Sequence, residues 1–138
     1  MNLSVFYDHV LQASEQSGMS IRNVLRFVKQ CGIDAVEIRL CHTEHDNAIV
    51  RLLEEEGLKI SCIYEFYDMG FHDESNMIKK HLGTAKELGV QNAMLVPGFL
   101  RNISIANLNA AMKDMDRLSE IFDSSDHYTA AIFTVCLT

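Results

Sequence analysis

The sequence predicts an α/β protein built from consecutive parallel β/α units. One sequence pattern occurs three times, in residues 31–40, 56–64 and 88–96. In each, a predicted helix ends at a glycine and a short apolar strand follows. The glycines are Gly32, Gly57 and Gly89, and their spacing leaves room for one helix and one strand in each unit. Strands separated by helices of this length pair in parallel through right-handed crossovers.

The first half of the chain predicts two strands with a helix between them. Residues 3–7 form an apolar run that predicts the first strand, and the polar residues 11–19 predict a loop. Ser20 has the side chain of an N-cap, and Gly32 has the position of a left-handed helix end. The second strand is predicted over residues 35–40. The apolar stripe of the intervening helix is Ile21, Val24, Leu25, Val28 and Cys31.

The second half continues this alternation up to residue 122. Helices are predicted over residues 47–56 and after Ser104, and strands over residues 59–66 and 92–96. Between these two helices in the chain, a further helix is predicted before the strand over residues 92–96. Its apolar face is predicted to consist of Met77, Ile78, Leu82, Ala85 and Leu88.

The length of 138 residues predicts one domain, with β/α units in residues 1–122 and an atypical ending in residues 123–138. The ending is a fifth strand or a tail outside the repeat, and its departure predicts a truncation, a frameshift or an alternative ending. Two architectures use such units: an incomplete (β/α)8 TIM barrel, here about half of one, and an open flavodoxin-like doubly wound sheet. Neither a glycine-rich dinucleotide turn nor a P-loop follows strand one, so the open sheet lacks its usual ligand signal.

Composition excludes several classes of partner. The formal net charge of -7 and the lack of a basic cluster argue against nucleic acid and against an anionic membrane surface. The four cysteines form no CxxC pair and lie in apolar segments, which predicts buried, reduced thiols in a cytoplasmic protein. No secretory signal or membrane-spanning run is predicted.

Five residues near strand ends are candidates for ligand binding. Glu37 and Arg39 fall on one side of strand two by alternation, with Val36 and Ile38 toward the helices. A carboxylate within an apolar strand needs a partner, which is either a ligand hydroxyl or a structural group such as Arg39 or a neighbouring strand. Tyr64 and Glu65 lie where strand three ends, and His9 lies where strand one ends. The alternatives are a core role for Tyr64, solvation for Glu65 and a surface or helix-contacting role for His9.

One loop has a composition that suggests metal binding. Adjacent loop residues rarely converge on one ion, so a solvated loop is the stronger expectation and no metal ligand is assigned. The loop residues are Cys41, His42, Glu44, His45 and Asp46.

Residues 32–40, 54–64 and 85–98 resemble the first half of the xylose isomerase-like TIM barrels, a superfamily that includes sugar-phosphate isomerases and epimerases. The resemblance implies a sugar or keto acid substrate and a divalent metal (Mn, Mg, Co or Zn) that polarises a carbonyl while a carboxylate moves a proton. In the isomerase and epimerase branches it implies metal ligands on strands five to eight. The glutamate expected at the end of strand five has no counterpart here, so the resemblance implies no metal bound by this chain, no assignable catalytic residue and little or no turnover.

A non-catalytic function is the alternative. An open half-barrel exposes its edge strands and inner face, which predicts self-association or a partner that covers them.

Overall fold

The structure, a computed structural model, describes residues 3–43, 48–68, 75–97, 113 and 129–132. Predictions on the remaining residues, among them the helix after Ser104 and Cys136, lie outside this part. The strands are β1 (Ser4–Phe6), β2 (Ala35–Arg39), β3 (Lys59–Tyr67), β4 (Asn92–Pro97) and β5 (Thr129–Ile132). The helices are α1 (Tyr7–Ser17), α2 (Ile21–Gln30), α3 (Ala48–Glu55) and α4 (Ser75–Glu87), and a 3₁₀ turn covers Leu40–Thr43.

The predicted α/β class with a parallel sheet is confirmed. Hydrogen bonding orders the strands β1-β2-β3-β4-β5. Ser4 of β1 lies opposite Ala35 of β2, and Asn92 of β4 lies opposite Thr129 of β5, both in parallel register. The atypical ending therefore contains a fifth strand over Thr129–Ile132. The backbone divides into two compact units, residues 1–63 and 64–138, which are described separately.

The core of the first unit follows the alternation predicted for strand two. Val36 and Ile38 are fully buried, whereas Glu37 on the opposite side is only half-buried. Helix α1 packs against β2 and α2, and it contributes Val10 to the core, while α2 contributes Leu25. The sides predicted for strand two are thus correct.

Backbone hydrogen bonds of Asp34 connect the starts of the strands in this unit. The backbone N–H of Asp34 donates to the carbonyl of Leu3, and its carbonyl accepts from the N–H of Lys59, at 3.2 and 3.0 Å. The Asp34 carboxylate also accepts from Lys29 at 2.7 Å, and this hydrogen bond holds the pKa of Asp34 below its usual range.

Helix α2 begins and ends as predicted. The Ser20 hydroxyl accepts from the N–H of Asn23 at 3.3 Å, as an N-cap does. The chain leaves the helix through Gly32, whose φ of 81° lies in the left-handed region that glycine adopts without strain. Cys31 lies at the C-cap, after the last residue of α2, and is exposed, so the prediction of a buried thiol is wrong there. Cys41 is only partly buried. Cys62 is buried as predicted.

An ion-pair cluster joins α2 to the end of α3. Arg22 donates to Glu55 and Glu56, at 2.6 Å in each case, and Arg26 donates to Glu56 at 2.8 Å. The hydrogen bond from Arg26, followed by that from Arg22, lowers the pKa of Glu56 from its ordinary 4.5. Because the folded pKa is lowered, this stabilisation is present above pH 4.5 and is lost as pH falls through the folded pKa.

We therefore expect Glu56→Gln to unfold more easily than the wild type at neutral pH and to converge with it in acid. Urea unfolding at a series of pH values, followed by circular dichroism, measures this. The matched control is Glu54→Gln, an exposed carboxylate in the last turn of α3, two residues before Glu56. A Glu56→Gln deficit that stays constant from neutral pH to strong acid would contradict the ion-pair account.

The prediction of a loop over residues 11–19 is wrong. Helix α1 occupies most of that range and starts directly after β1, with no side-chain cap at Phe6. Only Tyr7 and Val10 of this helix are buried, so its apolar stripe is too narrow to stand out in the sequence. The helix ends at Gly18, whose φ is 70°. His9 therefore lies in the first turn of a helix and not at a strand end.

In the second unit, helix α4 buries a face that differs from the one predicted from its apolar residues. Met77 is exposed, and Leu82 is only partly covered. The buried residues of α4 are Ile78, His81 and Ala85, which are spaced by three and then four positions and so share one face. His81 therefore lies in the core, whereas the apolar pattern predicted Met77 and Leu82 there.

Candidate functional site

The Glu37 side chain projects from the middle of β2 and is fixed on one side only. Its Oε1 accepts a 2.6 Å hydrogen bond from the hydroxyl of Ser4 on β1. Within the described residues, this is the one hydrogen bond to the carboxylate, so Oε2 keeps its acceptor capacity. The structural partner is therefore an uncharged hydroxyl on the neighbouring strand and not Arg39, which leaves the negative charge of Glu37 uncompensated by this contact.

An aromatic ring lies on the same side of the sheet. Phe6 is the register partner of Glu37, and residues paired in register on parallel strands point to the same side. Phe6 is 37% exposed, and the imidazole of His9 meets its ring edge-on, with centroids 5.8 Å apart. His9 is exposed, and Arg39 is half-buried and follows Glu37 on the same side of β2. The structure thus places Phe6 beside Glu37 and His9 against Phe6, with Arg39 toward the carboxyl end of β2.

A second polar pair lies just beyond the carboxyl ends of β1 and β2. Nε2 of His42 is 3.2 Å from Oδ1 of Asp8. The imidazole meets the Tyr7 ring edge-on, with the two ring centroids 5.1 Å apart. The 3₁₀ turn that carries His42 is anchored by buried Leu40, whose carbonyl accepts from the Thr43 hydroxyl at 2.7 Å. Burial raises the pKa of the Tyr7 phenol, so Tyr7 stays a neutral ring against which His42 packs.

The pairing of Asp8 with His42 was not predicted. Asp8 follows the apolar run of β1 and His42 follows that of β2, and parallel strands bring their carboxyl ends to one edge of a sheet, so the signal is present in the sequence. The prediction grouped His42 with the loop cluster of residues 41–46. Of that cluster, Glu44, His45 and Asp46 lie outside the described residues.

Tyr64 and Glu65 belong to the second unit, and both are buried. The Glu65 carboxylate accepts a hydrogen bond from the N–H of Phe66 at 2.9 Å, and Tyr64 meets the Phe66 ring edge-on at 6.1 Å. The alternative of a solvated Glu65 is wrong, because both sides of β3 are covered at this level. Burial of Tyr64 agrees with its core alternative.

A buried tyrosine–histidine pair in the second unit was also missed. Tyr67 ends β3, and its hydroxyl lies 2.8 Å from Nδ1 of His81 on α4. The two rings are nearly parallel, with an interplanar angle of 12°, and both residues are fully buried. The spacing of His81 from Ile78 and Ala85 was the signal that could have placed it on the buried face.

Across residues 3–43, 48–68 and 75–97, no three His, Cys, Asp or Glu side chains gather as a metal-holding group. Likewise, none of the helices described has the length and apolar character needed to cross a membrane.

Comparisons with protein-family models, with curated proteins and with solved structures gave no match to this chain. The site offers an aromatic ring, one open carboxylate oxygen and a guanidinium on two adjacent parallel strands, and an imidazole in the first turn of α1.

Proposed function

We propose that this chain is a sugar-binding protein of the isomerase and epimerase type, which binds a sugar or sugar phosphate on the side of β1 and β2 that carries Phe6 and Glu37. The open oxygen of Glu37 is the observation that carries the proposal. A carboxylate fixed by Ser4 through one oxygen can accept a ligand hydroxyl through the other, at little cost in ordering its side chain.

The neighbours of Glu37 suit the same class of ligand. A sugar presents an apolar C–H face together with hydroxyls, and ligand sites combine aromatic surface with a few placed polar groups. Phe6 supplies the exposed aromatic surface. Arg39 supplies a guanidinium, which is the group best suited to pair with a phosphate or carboxylate. No metal and no proton transfer is needed for this binding step.

The strand order supports the barrel as the architecture of the proposed protein. In the order β1-β2-β3-β4-β5 each strand lies beside its neighbours in sequence. A doubly wound sheet reverses its order at a switch point, as in 2-1-3-4-5, whereas a barrel adds parallel strands consecutively. The incomplete barrel is therefore the proposed fold, and active sites of barrels lie at strand carboxyl ends.

The proposal predicts that Glu37→Gln weakens sugar binding by about tenfold, because a hydrogen bond to a charged group contributes about 1.5–3 kcal/mol. Titration of the full chain with D-xylose and with D-ribose 5-phosphate, followed by amide chemical shifts, measures the affinity. The control is Glu54→Gln, an exposed carboxylate of α3.

Equal affinity of wild type and Glu37→Gln would refute the role of Glu37. A wild-type chain that sediments as a dimer and shows no sugar-dependent shift would support the alternative instead. In that case a second copy covers the exposed Phe6 of the edge strand β1 and the exposed Leu3 just before it.

A further inference from the structure

The contact between Asp8 and His42 determines which nitrogen of the imidazole carries the proton. An ionised carboxylate can only accept a hydrogen bond, so the nitrogen that faces it, Nε2, must be the donor. In a neutral imidazole the other nitrogen then has a lone pair and no hydrogen. Asp8 therefore holds His42 in the tautomer whose acceptor is Nδ1.

Among residues 3–43, 48–68 and 75–97, no group forms a hydrogen bond with Nδ1 of His42, whose one contact of this kind there is through Nε2. The side chain is 25% exposed, so it is neither a core histidine nor a freely moving surface one. The Tyr7 ring on one side and the Asp8 carboxylate on another fix the plane of the imidazole. An oriented acceptor of this kind selects a ligand group that donates a hydrogen bond.

We propose that Nδ1 of His42 accepts a hydrogen bond from a hydroxyl group of the bound ligand, with Asp8 as the positioning residue that fixes the tautomer. The ligand class rests on the proposed function, whereas the tautomer rests on the Asp8 contact alone. The site adds selectivity for hydroxyl groups to the surface formed by Phe6 and Glu37. A ligand that presents only a carbonyl oxygen there gains nothing, because two acceptors face each other.

Long-range ¹H–¹⁵N NMR spectra of the full chain test the tautomer without ligand. At a pH where the imidazole is neutral, we expect His42 to show a protonated Nε2 in the wild type and in Asp8→Asn, whose amide oxygen still accepts. Asp8→Ala is expected to give a mixture of tautomers. A wild-type His42 protonated at Nδ1 would overturn the proposal, because the acceptor would face the wrong way.

Addition of D-xylose tests the ligand contact. We expect the Nδ1 resonance of His42 to shift on binding, and His42→Ala to weaken binding by about 3- to 10-fold, as loss of one hydrogen bond predicts. His42→Asn, which retains an acceptor near the position of Nδ1, is expected to recover part of this affinity.

The outcomes separate this inference from the proposed function. Sugar binding that depends on Glu37 but is unchanged in His42→Ala would overturn the inference and leave the proposed function standing. No binding of any sugar by the wild type would overturn both, whatever the tautomer. A shift of Nδ1 together with weaker binding by His42→Ala and rescue by His42→Asn would support the inference.

Discussion

Replacing Leu25 with alanine is expected to lower the free energy of unfolding by about 2–5 kcal/mol. Leu25 on α2 is fully buried among core side chains of the first unit. Truncation removes apolar contacts and leaves a cavity that the neighbouring side chains fill only partly. Because the sequence contains no tryptophan, urea unfolding is best followed by far-UV circular dichroism.

The control for Leu25→Ala lies on the same helix. Phe27 has a larger side chain but is 61% exposed, so Phe27→Ala should change stability by no more than about 0.5 kcal/mol. Alanine also has the higher helix propensity, which offsets part of any loss. Equal losses from the two substitutions would mean that α2 buries a different face from the one the structure shows.

The second large effect is expected from Tyr67→Phe. This substitution keeps the buried ring and removes the hydroxyl that lies 2.8 Å from Nδ1 of His81. A buried nitrogen that loses its partner keeps its desolvation cost, so we expect a loss of about 1–3 kcal/mol. Thermal and urea unfolding of the full chain measure it.

Tyr7→Phe provides the same chemical change at another buried tyrosine. No residue within the described ranges forms a hydrogen bond with the Tyr7 hydroxyl, so removal should cost no more than about 0.5 kcal/mol. If Tyr67→Phe proved as mild as Tyr7→Phe, the contact with His81 would contribute nothing measurable to stability. Both substitutions remove a hydroxyl oxygen from a buried ring, so the difference between them measures what the contacts of Tyr67, including that with His81, contribute.

Strands and helix ends were predictable because they depend on local chemistry. The apolar runs that became β2, β3 and β4 each follow a glycine, and the left-handed positions at Gly32, Gly57 and Gly89 favour that residue type. Helix α1 was not predictable in this way. It starts without a capping side chain and buries only Tyr7 and Val10, so its sequence has the polarity of a loop.

The candidate site was predictable in its residues but not in its contacts. Alternation along β2 placed Glu37 and Arg39 on the less buried side, as the structure shows. The bond from Ser4 depends on the register of β1 against β2, which no local pattern encodes. The pairing of Asp8 with His42 depends in addition on helix α1, which starts at Tyr7. The sequence predicted a loop over most of that helix.

The buried histidine shows a different limit of sequence analysis. An apolar stripe identifies a helix face only when all of its members are apolar, and His81 breaks the stripe of α4. Its burial is made possible by Tyr67, a residue on a different element whose hydroxyl meets the imidazole. A contact of this kind follows from tertiary packing and not from periodicity.

The measurement that tests the central claim most directly is the titration of the ¹⁵N-labelled full chain with D-xylose. The account predicts that the amide resonances of Ser4, Phe6, Glu37 and Arg39 shift together along one binding curve, while that of Phe27 on the exposed face of α2 does not. Shifts confined to other parts of the chain, or none up to the solubility of the sugar, would contradict the claim that this side of β1 and β2 binds a sugar.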